Sequence, residues 1–382
     1  MEYDIRISRG CLCLIFFPVF LYWRDEEKGE RTVSGQRYPV NTADHQGVMK
    51  NNNVLVTGGG GFIGLALVQE LCRQGRAVRV LGRHRYPAAE AAGAISLQGD
   101  IRNLETVQRA AAGCDTVFHV AAKAGIWGSF HEYYSINVLG TLNVLAACQK
   151  LGIGNLVYTS TPSVVFDGHD LEGADESLPY SSKPLCAYAI TKILAEQHVL
   201  RNNSEELRTA AIRPHLVWGP GDTNLIPRLM ARGREQSLRI VGDGKNQVDI
   251  AYIDNVVHAH LLAAENLAGE GTAAGHAFFI GQQEPVQLWS WINDLFAEME
   301  VPLVTSQVGL GTAKTVGWLL EMGYGLLGAN QEPQMTRFLA EQLAMSHWFS
   351  KKKAETLLGY REKVSTEVGM ERLIAWLRQE QR

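Results

Sequence analysis

Short apolar runs alternate along residues 54–213 with longer stretches whose apolar positions recur every three or four residues. A short apolar run suits a strand buried on both faces, and a 3.6-residue period suits a helix lying against it. The pattern predicts strands at 54–57, 77–81, 95–98, 116–120, 156–160 and 209–213. It predicts helices at 62–74, 104–112 and 137–151, the first ending at Gly75 and the last at Gly152. A further helix carries Tyr188 and Lys192 and runs to about residue 202. Alternation in this order gives an α/β fold with a doubly wound parallel sheet. After Trp218 the alternation becomes irregular, with short strands at 239–241 and 276–280 among helices. That predicts a smaller C-terminal lobe interleaved with the sheet.

Two segments do not follow the alternation. Residues 11–23 are apolar but are interrupted by Pro18; a membrane-spanning helix needs about 20 apolar residues. No small-x-small cleavage site follows. Residues 1–48 are therefore expected to be a poorly ordered leader or an over-extended start, with a peripheral membrane anchor as the second reading. Residues 309–327 are rich in glycine and aliphatic residues but contain Lys314 and Glu321. A buried helix or a lid over an apolar ligand is expected there in preference to a membrane contact.

Of the 382 residues, 46% are hydrophobic and 20% charged, and the net charge is -4. This is the balance of a globular enzyme, with no surplus charge for a nucleic-acid partner. The six cysteines form no Cys-x-x-Cys pair, which suits a reducing cytoplasm. No metal motif and no Gly-x-Ser-x-Gly occurs, and His258 and His260 flank Ala259 on a predicted helix, facing different ways. No metal is expected, and Lys351 to Lys353 are expected to be a solvated helix start.

The candidate chemistry begins at Gly58, Gly61 and Gly64, which follow the first strand and open the first helix with Phe62 and Ile63 between them. Such a turn lets backbone amides approach a pyrophosphate at a helix N-terminus, the Rossmann arrangement. An NAD site places an acid after the second strand to bind the ribose. Here that place reads Gly82-Arg83-His84-Arg85. Arginine pairs with a 2′-phosphate, so NADPH is expected in preference to NAD, through Arg83 with Arg85 or His84 assisting. Asp100 is placed to accept from the adenine amine. Tyr188 and Lys192 lie four apart on one helix face. An ammonium there is expected to lower the phenol pKa from about 10 and make Tyr188 a proton donor. Residues 49–240 are thus expected to bind the cofactor and carry the catalytic groups, and residues 241–382 mainly the substrate.

These motifs occur in the order of the extended short-chain dehydrogenase/reductase family: the glycine turn, Gly-Asp100-Ile101-Arg, His-Val-Ala121-Ala122, Asn137-Val-x-Gly-Thr, Tyr-Thr-Ser-Thr161, Tyr188-x-x-x-Lys192 and Arg213-Pro214. The chain resembles that family from about residue 50 onward, in its 3β-hydroxysteroid and sterol dehydrogenase branch. The runs 121–129, 159–165 and 335–343 narrow the resemblance to bacterial reductases of 2-alkyl-3-oxoalkanoates that serve long-chain olefin formation. The resemblance implies that Tyr188 donates a proton to a ketone while NADPH delivers hydride. Lys192 would tune the phenol and hold the nicotinamide ribose. Thr161 would orient the carbonyl, where the family usually has serine, with Ser160 and Ser163 as neighbouring alternatives. Asn137 would help hold a water behind the lysine. Ile101, Ala121, Ala122, Lys123 and Pro214 join the expected cofactor contacts.

A lipid-like 3-oxo acid needs a cation or amide donors for its carboxylate, with Lys123, His215 and Arg228 as candidates. Ile126, Trp127, Trp218 and residues 309–327 are candidates for the apolar wall. The resemblance also implies a homodimer through the helices of Asn137 and Tyr188, in the cytoplasm, with membrane or pathway-enzyme association a further possibility. Three alternatives remain: a 3β-hydroxysteroid or sterol-4-carboxylate dehydrogenase, a nucleotide-sugar epimerase or dehydratase, and an NADPH-sensing regulatory protein.

Overall fold

The computed structural model describes residues 53–329 and 331–380. The expected leader and its apolar run lie outside the described residues. Seven parallel strands form the central sheet: β1 (Asn53–Thr57), β2 (Ala77–Gly82), β3 (Ile95–Gln98), β4 (Thr116–His119), β5 (Asn155–Thr159), β6 (Arg208–Pro214) and β7 (His276–Ile280). Their spatial order is β7-β6-β5-β4-β1-β2-β3. Each predicted strand of this sheet agrees with the structure to within one residue at either end.

The strands are apolar because both faces are covered. Successive side chains point to opposite faces. Val54, Val56, Val80 and Phe118 meet the helices Phe62–Arg73 and Ile253–Ala268 on one side. Leu55, Leu81, Val117 and Tyr158 meet Leu104–Ala111, Gly140–Leu151 and Ala187–Arg201 on the other. The strand order turns outward in both directions from β1 and β4. The crevice above their carboxyl ends is the usual ligand position of such sheets.

The later chain is woven into this frame. β7 completes one edge of the sheet. A second sheet joins Leu171–Ala174, Gln247–Val248, Val286–Gln287 and His347–Phe349. Across its four strands it brings together segments from after β5, after β6 and after β7.

Four expectations change. The helix predicted at 137–151 starts earlier, as an α-turn at Phe130–Tyr133, a π-helix at Tyr134–Leu139 and an α-helix at Gly140–Leu151. A π-turn takes an extra residue, which an apolar period does not reveal. The helix Leu310–Leu326 forms, but only Ala313 and Gly317 are buried in it. Trp218 is fully buried and lies edge-on to Tyr252 and Trp291, so it belongs to the core. Lys351 is also buried, in an ion pair with Asp249 at 2.6 Å. It anchors the helix Lys352–Leu358 rather than facing solvent.

A buried charge pair fastens the Tyr188 helix to β6. Arg213 reaches Glu196 through Nη2 at 2.5 Å and Nε at 3.1 Å, and the Tyr180 hydroxyl donates to the same carboxylate at 2.9 Å. The guanidinium also lies over the Phe279 ring at 5.0 Å. Removing one partner of such a pair strands a buried charge, at a cost of about 3–5 kcal/mol. Glu196→Ala is therefore expected to lose that much stability in urea unfolding. A loss below about 1 kcal/mol, the range of solvated pairs, would contradict the burial.

Candidate active site

The glycine turn is shaped by two contacts and one opening. Gly58 leaves β1 at φ +73, and a Cβ there would lie 2.8 Å from the backbone of Ala121 after β4. A Cβ at Gly64 would lie 2.2 Å from the Gly58 carbonyl oxygen. At Gly61 it would meet only that same oxygen, at 3.5 Å. Gly61 caps the helix Phe62–Arg73 with no side-chain cap, and the first turn holds no acid. The first amides of that helix are therefore available to an anion.

A cleft of about 480 Å³ opens above the turn, lined by Gly58, Gly61, Phe62, Ile63, Gly64, Arg83, Asp100, Ile101, Ala121, Ala122 and Lys123. These are the expected cofactor contacts apart from Tyr188, Lys192, Pro214 and the assisting Arg85 or His84. Tyr86, Glu132, Asp222 and Asn224 line it as well, without a motif to announce them. Tyr86 had an indirect signal: its ring occupies the space beside Gly60 and Gly82, where a Cβ would come within 2.0 and 2.2 Å.

The rim is basic. Arg83 is exposed at the end of β2, and its carbonyl accepts from Gln98 Nε2 at 3.1 Å. Arg85 pairs with Glu90 at 2.9 Å with most of its side chain in solvent; His84 is exposed. Asp100 is gripped by Arg102 through both carboxylate oxygens, with Nη2 at 2.6 Å. That pairing, reinforced by Arg83, holds the carboxyl below the usual range.

Tyr188 and Lys192 lie on the helix Ala187–Arg201. Tyr188 is half-buried against an apolar cluster that includes Val164, Phe166, Ala189, Phe279 and Phe338. Thr161 acts to lower its pKa, yet burial prevails and pushes the phenol up to about 12. The expected lowering by Lys192 does not appear. The Lys192 ammonium donates to the Thr159 carbonyl at 2.6 Å and lies 4.1 Å from the Tyr158 ring centre. Burial lowers its pKa to about 7, against the pull of Glu196. Desolvation disfavours both charged forms, so Tyr188 holds its proton at neutral pH, the state a proton donor requires. Thr161 also accepts from the Ser163 amide at 3.2 Å, and Ser160 is buried beside it.

Asn137 lies in the π-helix, almost fully buried. Its oxygen accepts from the Lys123 amide at 2.7 Å, and its nitrogen donates to the Lys123 carbonyl at 3.1 Å and to Thr191 at 3.0 Å. It therefore clamps the strand end after β4 to the Tyr188 helix. His119, which the sequence did not single out, continues this link. Its Nδ1 lies 2.7 Å from Thr57 Oγ1 and its Nε2 2.9 Å from Thr141 Oγ1. Thr141 donates to the Asn137 carbonyl at 2.6 Å.

The expected cations for a carboxylate fare unequally. His215 is buried, stacked on His347 at 4.7 Å and pushed well below its usual pKa by burial, so it is neutral. Arg228 is spent on Glu332 at 2.5 Å. Lys123 pairs with Glu132 at 2.9 Å and lines the cleft. Ile126 packs on the Tyr188 cluster. Trp127 donates to the Ala329 carbonyl at 3.0 Å and lies edge-on to Tyr324. Among the described residues no group of three or more His, Cys, Asp or Glu side chains is placed to hold a metal ion.

The 3-beta hydroxysteroid dehydrogenase/isomerase family pattern matches residues 55–308. A 2-alkyl-3-oxoalkanoate reductase of Stenotrophomonas maltophilia is 47% identical over 84% of this chain and 98% of its own length. One of Shewanella oneidensis is 46% identical over 86% of this chain and 87% of its own. A decarboxylating sterol-4-alpha-carboxylate 3-dehydrogenase of Mus musculus is 32% identical over 86% and 91%. Among solved structures, MoeE5 in complex with UDP-glucose and NAD superposes with a TM-score of 0.66 at 26% identity, over 86% of this chain and all of that one.

The buried histidines set an acid limit. Burial depresses His119 to about 3 and His260 to about 4. Unfolded histidine titrates near 6.5, so below that pH the unfolded chain takes up protons that the folded chain refuses. The stability is complete above about pH 6.5 and falls as the pH drops toward 4 and 3, by up to about 1.4 kcal/mol per unit for each group. Urea unfolding at pH 7, 6 and 5 checks this, with His119→Gln expected to flatten the slope. An unfolding free energy equal at pH 7 and pH 5 would refute it.

Proposed function

The chain belongs to the 3-beta hydroxysteroid dehydrogenase/isomerase family, and from that membership we propose that it uses NADPH to reduce the 3-keto group of a long-chain 2-alkyl-3-oxoalkanoate. The product is the 2-alkyl-3-hydroxyalkanoate, a step toward olefins. At the coarser level the chain is an NAD(P)-dependent oxidoreductase of the extended short-chain type. The observation that carries the reading is the Tyr188 phenol, set against an apolar cluster that keeps its proton on, with Thr161 acting on it in the opposite direction; the first helix supplies an anion-ready end as well. The two relatives near 47% and 46% identity support the substrate, since both are described as reductases of 2-alkyl-3-oxoalkanoates.

The residues present fit a dinucleotide: an uncapped helix start, a glycine opening toward the cleft and a basic rim. Arg83, with no acid at the end of β2, supports the 2′-phosphate form. Once bound, the dinucleotide supplies the hydride. Tyr188 gives its phenolic proton to the ketone oxygen, and the Thr161 hydroxyl fixes that oxygen. Lys192 as an ammonium offsets the charge of the phenolate that remains, and a proton from solvent restores the phenol after turnover. The apolar cluster excludes water and receives an alkyl chain. The clamp from Asn137 to Thr191 holds the helix in register. We place this chemistry in the reducing cytoplasm, where the free Cys72, Cys114, Cys148 and Cys186 suit the conditions. A homodimer forms through the Phe130–Leu151 segment and the Tyr188 helix, with Phe130, Leu139 and Leu151 exposed on the former.

Tyr188→Phe is expected to lower kcat by about 10²–10⁴ while NADPH affinity by fluorescence titration survives; a mutant with near wild-type turnover would refute the assigned role. Arg83→Asp removes a charge-assisted contact worth about 1.5–3 kcal/mol and is expected to raise the KM for NADPH roughly 10- to 150-fold, with NADH little affected. The substrate is tested by following NADPH oxidation with a synthetic 2-alkyl-3-oxoalkanoate beside a 3-ketosteroid and a UDP-sugar. Turnover of the ketosteroid alone would transfer the reading to the sterol dehydrogenases.

A further inference from the structure

The last residue of β2 is Gly82. It stands about 20 residues beyond the glycine turn, where an NAD site carries its ribose-binding acid. The side chain that fills this place is Tyr86. A Cβ on Gly82 would lie 2.2 Å from the Tyr86 hydroxyl and 2.5 Å from Cε2 of its ring. A Cβ on Gly60, in the turn itself, would lie 2.0 Å from Cδ1 and 2.1 Å from Cε1. The ring is therefore wedged between the turn and the end of β2, one edge against each. Neither Gly60 nor Gly82 has a positive φ. Both are glycine to make room for the ring, not to satisfy the backbone.

Tyr86 is fixed in this position. Its amide donates to Ser96 Oγ on β3 at 3.1 Å, and its carbonyl accepts from the amides of Ala89 and Glu90. Pro87 follows it at the start of the short helix Pro87–Ala91. The ring is half-buried and packs on the core cluster of Val56, Val68 and Val80. These contacts engage the backbone and the ring and leave the hydroxyl unused. Tyr86 and Arg83 both line the cofactor cleft.

Hydrogen-bonding chemistry decides what that hydroxyl can meet. A carboxylate at this place only accepts, and so takes a ribose 2′-hydroxyl. A phenol can donate, and beside the exposed Arg83 guanidinium the matching acceptor is a phosphate oxygen. We propose that Tyr86 determines cofactor specificity: its ring bars the acid that an NAD site needs, and its hydroxyl donates to the 2′-phosphate beside Arg83. The inference rests on the NADPH reading and adds the residue that enforces the choice.

The test is calorimetric titration of the full chain with adenosine 2′,5′-bisphosphate and with 5′-AMP, two fragments that differ only in the 2′-phosphate. Wild type is expected to bind the bisphosphate more tightly, by roughly tenfold or more. Tyr86→Phe keeps the ring and removes the donor. It should weaken the bisphosphate by roughly tenfold, the lower end for a hydrogen bond to a charged group, and leave 5′-AMP affinity and the thermal midpoint unchanged. Gly82→Asp and Tyr86→Ala should be strongly non-additive in thermal midpoint, since the acid fits only where the ring has gone. Additive losses overturn the wedge. A wild-type preference that Tyr86→Phe leaves intact overturns the proposal and spares the NADPH reading. An equal loss on both fragments does the same and makes Tyr86 a packing contact. Equal binding of both fragments by wild type overturns the NADPH reading, and this inference with it.

Discussion

His119 can serve both of its threonine partners in only one protonation state. Thr141 spends its proton on the Asn137 carbonyl, so it must accept from His119 Nε2. Nδ1 is then bare and accepts from Thr57, whose oxygen in turn accepts the Ala121 amide. A charged imidazole would break this order, and burial already keeps the ring neutral. The chain Ala121, Thr57, His119, Thr141, Asn137, Thr191 thus has a single direction, and it ends on the backbone of Ala187 and Tyr188. The floor of the cofactor cleft and the proton donor are parts of one hydrogen-bonded object. Such networks are rigid when every member is satisfied.

Dryness does the remaining electrostatic work. Burial raises the Tyr188 phenol to about 12 and lowers Lys192 to about 7. The two groups are driven toward neutrality from opposite sides. One turn further along the same helix, burial works against the Arg213 guanidinium too, but its pairing with Glu196 prevails and holds its pKa above the usual value. Charge is therefore retained where it holds the scaffold and suppressed where a proton has to move. The same desolvation makes His215 neutral.

The frame was legible from sequence because its strands are covered on both faces, so apolar runs and strand boundaries coincide. The glycine turn and the Tyr188–Lys192 spacing were legible because backbone geometry forces them. What escaped depended on partners distant in sequence. Arg85 and Arg228 looked like free cations until Glu90 and Glu332 were found beside them. Lys351 looked solvated because Asp249, its partner, lies far back in the chain. The π-turn at Tyr134–Leu139 has no compositional mark, and yet it places Asn137. An apolar run cannot say whether it faces core or solvent: of the two expectations for residues 309–327, a buried helix or a lid, the helix Leu310–Leu326 departs from the first, with only Ala313 and Gly317 buried.

The edge strand β7 joins β6 only after residues 215–275 have intervened. While the chain is being made, β6 can pair with β5 long before β7 leaves the ribosome. During that interval the outer edge of β6 offers unpaired amides and carbonyls to any neighbouring strand. Arg213 waits as well, since one of the rings that covers it is Phe279. Ordered synthesis therefore contains a stage, ending near residue 280, in which a nearly complete catalytic half has an open flank. Chaperone demand and the penalty for premature termination should be concentrated there.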